Sequence, residues 1–120
     1  MNDQATEQEI KDKGLTAPRI TPDHIENVIV DEQYFTAYEG ILGSETNNPT
    51  GAVVGKGTSF DLLTFCVLRL RNGFTVTGES SCASPANFDA ELGRKIAREN
   101  AKEKVWLLEG YLLKQALNSC

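Results

Sequence analysis

Two arginines, an Asn-Gly turn, a run of hydroxyls and a cysteine stand together in RLRNGFTVTGESSCASPANFD, residues 69–89. Three chemistries fit such a set. Arg69 and Arg71 can fork onto phosphate or carboxylate oxygens. Ser80 and Ser81, just before a helix-start signal at Ser84-Pro85, can add donors near a positive helix end. Cys82 can be a nucleophile if a helix terminus or a base lowers its pKa. The chain has one histidine, His24, so only one imidazole base is available, and nothing in the sequence brings it to Cys82. The plainer reading of Cys82 is a small, partly buried thiol ahead of a capped helix.

The cationic reading extends downstream. Arg94, Arg98 and Lys102 are four apart and line one helical face, with Lys95 beside them. Their ordinary role is a solvated face paired with Glu91, Glu99 and Glu103. If the hairpin arginines pack near this helix, the same groups become an anion site, with Tyr34 or Tyr38 available to stack on a base. GAVVGKGT, residues 51–58, superficially suggests a phosphate-binding loop, but the pattern needs four residues between its glycines and a Lys followed by Ser or Thr. Only three residues separate Gly51 from Gly55, and Gly57 intrudes after Lys56. A flexible loop over a ligand is the better reading. Trp106 and Tyr111 fall at helical spacing and are read as core or subunit interface.

The totals narrow the classes. At 120 residues the chain has the size of one domain. Its net charge is −5, with 4 basic and 11 acidic residues in 1–65 and 8 basic and 6 acidic in 66–120. An acidic whole argues against a general nucleic-acid binder, while the basic second half leaves room for a small anion. Three cysteines without a CxxC pair argue against a zinc site and a disulfide framework, so neither metal nor cofactor is expected. No apolar run suits a membrane span, and the polar N-terminus does not resemble a secretory signal, so a cytosolic protein is expected.

The elements that must position these groups follow from pattern. Residues 1–18 are polar and are read as a mobile acidic tail, with a single domain over 19–120. Thr21-Pro22-Asp23 starts a short helix ending near Asp31. QYFTAYE reads as a strand with Tyr34, Thr36 and Tyr38 on one face. Residues 39–59 read as a long glycine-rich loop. LLTFCVLRLR and FTVTGES make a hairpin. A three-residue loop with Gly73 as the bulge pairs Leu70 with Phe74, Leu68 with Val76 and Cys66 with Gly78. That register gathers Leu62, Cys66, Leu68, Leu70, Phe74 and Val76 on one face and leaves Arg69 on the wetter one. A long helix runs from Ser84-Pro85 to about Leu117. Its apolar residues fall on two opposite sides: Phe88, Leu92, Ile96, Trp106, Leu113 and Leu117, against Ala97, Ala101, Val105, Leu108 and Leu112. A helix apolar on two sides must be covered twice, and a second subunit is the expected second cover. The fold class expected is α+β: a short N-terminal helix, a small antiparallel sheet with a central hairpin and a long C-terminal helix, as a homodimer or higher oligomer.

Whole phrases also carry a resemblance. ITPDHIENVIVDEQYFTA and LLTFCVLRLRNGFTVTGESSCASPANFDAELGRKIARENAKEKVWLLEGYLL resemble small tailed-phage and prophage accessory proteins labelled "gene product 49-like", over about residues 19–113. The family has no assigned function and hands over no catalytic residues. The resemblance implies a phage or prophage origin and a place in the cytoplasm of the infected or lysogenic host. Such accessory proteins often counter host defence, and one kind sequesters nucleotide immune signals of the cyclic ADP-ribose or cyclic dinucleotide type. The expectation is therefore a non-enzymatic sponge for an anionic nucleotide, with Arg69, Arg71, Arg94, Arg98, Lys102, Ser80, Ser81, Tyr34 and Tyr38 as its contacts. Two alternatives stand beside it: an inhibitor that docks on a host protein through the acidic N-terminal half, and a Cys82-dependent enzyme.

Overall fold

A computed structural model describes residues 3–15, 17–51 and 57–119. The fold is α+β, with three antiparallel strands in the order β1-β2-β3 and a long helix across one face. Strand β1 is Ile29–Thr36, β2 is Leu63–Leu70 and β3 is Thr75–Ser81. The hairpin has the expected bulged register. The Leu70 amide donates to the Phe74 carbonyl, Gly73 has φ +91°, and Leu68 faces Val76 while Cys66 faces Gly78. One register alone separates a buried face from a wet one here, which is why alternation sufficed to find it. Thr64, Cys66, Leu68 and Leu70 are buried and Arg69 is exposed. Phe74 departs from the expectation: at the hairpin tip it is 55% exposed.

Helix α4, Ala90–Asn118, crosses the sheet on that buried face. Ala97, Ala101 and Val105 are fully buried and pack with Ile25, Cys66 and Leu68 into one core. The helix starts later than expected. Ser84-Pro85 opens only a 3-10 turn, Pro85–Asn87, and Asp89 is the true cap, accepting from the Leu92 amide at 3.1 Å. Pro at the first position suits any helical turn, so the signal was real but the turn was short.

Three other expectations change. Helix α2, Pro22–Val28, ends before Asp31, because Ile29 already pairs with Leu70. The N-terminal segment read as a mobile tail forms helix α1, Asp3–Asp12, built from good helix formers. Glu7 fastens it, taking both guanidinium nitrogens of Arg19 at 2.5 and 2.8 Å. The glycine-rich stretch from 39 carries helix α3, Ala37–Asn47, and a 3-10 turn, Ser59–Leu62. Thr36 and Glu39 form a reciprocal capping box that starts α3 despite Gly40 and Gly43. Tyr38 therefore sits on a helix rather than on the strand of Tyr34. The centre of GAVVGKGT, with Lys56, lies outside the described residues.

Candidate ligand groove

Where β1 gives way to α3, the chain turns beneath the start of α4 and leaves an open groove of about 730 Å³. Tyr34 and Phe35 come from the last residues of β1, Tyr38 from the first turn of α3. Phe88 and Arg94 come from the approach to α4 and its first turns. Phe35 is braced by Phe65 across the ladder, with ring centroids 5.6 Å apart, and by Gly40 beneath it. Glu39 and Asp61 also line the groove, but both are engaged: Glu39 in the capping box and Asp61 by the Gly57 amide at 3.1 Å.

Of the expected contacts, Arg94, Tyr34 and Tyr38 are brought together here. Ser80 and Ser81 line a smaller neighbouring cavity of about 150 Å³ with Cys82; Leu62, Thr64 and Phe88 are shared between the two. The remaining cations are drawn elsewhere. Arg98 holds Glu26 through Nη1 and Nη2 at 3.2 and 2.7 Å and Glu32 through Nε at 2.7 Å. Lys102 reaches Glu26 at 3.2 Å and Glu99 at 3.4 Å. Arg69 faces Asp31, its ladder partner, at 3.5 Å. Arg71 donates to the Asn27 carbonyl at 2.5 Å, tying the hairpin to α2. Among the described residues, Arg94 is the one of the five cationic candidates with no polar or ionic partner.

These ion pairs set the local protonation. Hydrogen bonds from Arg98 hold the Glu26 carboxyl below the ordinary glutamate range. Glu32 is lowered by the Tyr34 hydroxyl first and by Arg98 second. Burial, then donation to Glu32 at 2.7 Å, pushes Tyr34 well above an ordinary phenol, so its ring remains neutral. Burial raises the Cys66 thiol, as suits a core cysteine.

The Cys82–His24 pairing does not form in this chain. The Cys82 thiol donates to the Ser84 carbonyl at 3.2 Å, beside Gly93 at the start of α4. His24 meets Glu109 at 2.7 Å, sixteen residues further along the same helix. At 1.5 Å per residue that separation is about 24 Å.

Residues 20–117 match the family described as Phage protein (N4 Gp49/phage Sf6 gene 66). The chain belongs to that phage protein family. No curated protein and no solved structure matches it. The match spans β1, the hairpin and nearly all of α4, so every groove residue named above falls inside the family region, while α1 lies outside it. No helix among the described residues is long and apolar enough to cross a membrane. Phe35, Phe88 and Asp61 were not singled out from sequence as contacts. The Thr36-x-x-Glu39 capping box was the signal that would have placed Phe35 and Tyr38 around one corner.

Proposed function

We propose that this phage protein binds, without catalysis, a small nucleotide-derived anion in the groove beside Arg94, and so sequesters a host signal. One observation supports the reading most: Arg94, the one cationic candidate without a polar or ionic partner among the described residues, lines the same groove as Tyr34, Phe35, Tyr38 and Phe88. Aromatic faces stack a base, and a guanidinium answers a phosphate. The groove also carries two carboxylates against one arginine, which disfavours a dense polyanion. A ligand with few phosphate charges beside a planar ring fits best.

Isothermal titration calorimetry against cyclic ADP-ribose-type molecules and cyclic dinucleotides tests this. Wild-type protein should bind one class, with Arg94→Gln weakening it at least tenfold, about 1.4 kcal/mol. Cys82→Ala should bind as wild type. No heat from any of these nucleotides on folded protein would remove the proposal. The alternative of an acidic docking surface has less free charge than the composition suggests. Glu7, Glu26, Asp31 and Glu32 are already paired within the chain.

A further inference from the structure

One side of α4 is used by the core; on the opposite side Trp106 packs only partly against that core and Leu92 and Ile96 border the small cavity beside β2 and β3, and much of that side stays exposed. Counting along that second side, Leu92, Ile96, Glu99 and Glu103 are followed by Trp106, Gly110, Leu113 and Leu117. The steps alternate strictly between four and three, the spacing of a coiled-coil seam, over 26 residues. At about 100° per residue this stripe lies opposite Ala97, Ala101 and Val105. Leu92, Ile96 and Leu117 are 52%, 42% and 50% exposed. The first turn of α1 stands off from its middle across an open cleft of about 670 Å³, whose lining includes Asp3, Glu99, Glu103 and Trp106 together with Lys95 and Lys102.

The seam's charge says what covers it and in which direction. Were a second copy to lie parallel, Glu99 would meet Glu99 and Glu103 would meet Glu103, so like charges would face each other in two layers. Among the described residues only Glu99 of the two has a cation, Lys102 at 3.4 Å, beside it. Reversed, Leu92 meets Leu117, Ile96 meets Leu113, Glu103 meets Trp106 and Glu99 meets Gly110. Every layer then has at most one carboxylate, and both ends are closed by leucine and isoleucine. The pattern is complementary to itself in that orientation, as a two-fold interface requires. Gly110 fits the same picture. A helix-interior glycine costs about 1 kcal/mol relative to Ala, and within the chain no described atom lies within 4 Å of where its Cβ would be. A partner helix carrying Glu99 gives that space a use. The shape agrees: the radius of gyration is 18.3 Å and the longest extent 57 Å, whereas a compact chain of this length has a radius near 14 Å.

We infer that α4 pairs antiparallel with α4 of a second copy through the Leu92–Leu117 seam. This does not rest on the groove, because Arg94 lies on the other side of the helix. Sedimentation equilibrium of the 13.2 kDa chain at micromolar concentration should give a dimer. Ile96→Asp and Leu117→Asp should each give a monomer with unchanged far-ultraviolet circular dichroism. Spin labels on Asn118→Cys, with Cys82 and Cys120 changed to Ser, should lie roughly 40 Å apart in the antiparallel dimer. Separations under about 20 Å, near the interaxial distance of packed helices, would overturn the orientation. A wild-type monomer, or dimers that survive both aspartate variants, would overturn the seam.

Discussion

Gly78→Ala should destabilise the fold by at least about 3 kcal/mol, the high end for an overpacked site. Gly78 sits mid-strand in β3, opposite Cys66 and on the face that α4 covers. A Cβ there would stand 2.2 Å from the Ala97 carbonyl oxygen and 2.3 Å from the Ala101 amide nitrogen. Both are helix backbone, so no rotamer change relieves the clash, and α4 itself must lift. Lifting it opens the contacts of Ala97, Ala101 and Val105 with Leu68 and Ile25, which are all fully buried. Against a total stability of about 5–15 kcal/mol, a loss of this size should lower Tm by about 10 °C or more. Gly43→Ala is the matched control. It lies in α3 with open space around it, and alanine there should stabilise by up to about 1 kcal/mol through helix propensity. A Gly78→Ala protein that melts within about 2 °C of wild type would mean that α4 does not lie as close to β3 as described.

The same contact shows what was legible in the sequence. Alternation and the Asn72-Gly73 turn give the pairing of Cys66 with Gly78, because any other register mixes charge and apolar groups on both faces. They do not reveal that Gly78 must be glycine, since that follows from how closely Ala97 and Ala101, 19 and 23 residues later on α4, approach it. The two apolar sides of α4 were readable from periodicity alone, and the structure shows which one the sheet takes. The cationic face was readable too, but its fate was not. Arg98 has carboxylates at i+1 and i−7 on its own helix, yet its partners are Glu26 and Glu32, 72 and 66 residues away. Helical spacing reports neighbours on one helix and is blind to such pairs. α3 was missed for a different reason: the glycines of 39–59 outweighed the Thr36-x-x-Glu39 box that caps it.

Arg98→Met tests whether those distant pairs hold the fold or merely decorate it. Arg98 ties α4 to Glu26 of α2 and Glu32 of β1, and Glu32 in turn receives the Tyr34 hydroxyl. Methionine keeps much of the apolar stem but removes both charge-assisted contacts. The arginine side chain is 22% exposed, while its partners are nearly half exposed. Water therefore solvates the orphaned carboxylates, and the loss at pH 7 should be about 1–2 kcal/mol, below that of a fully buried pair. The pH dependence has a fixed sign. Glu26 and Glu32 titrate lower in the folded chain than the ordinary glutamate value near 4.3. Their contribution is thus complete above about pH 5 and is lost as pH falls through the lowered folded values. Urea denaturation should show wild type ahead of Arg98→Met at pH 7, and the gap should shrink steadily between pH 5 and pH 3. A gap that stays constant across that range would assign the effect to packing of the arginine stem instead. A double-mutant cycle with Glu26→Gln should give a coupling of about 1 kcal/mol at pH 7 that declines as pH falls below about 5. Because Glu32 also holds the Tyr34 hydroxyl, Arg98→Met should loosen one wall of the groove as well. Nucleotide affinity, where calorimetry detects it, should fall less than for Arg94→Gln, since Arg98 acts on the ligand only through Glu32 and Tyr34.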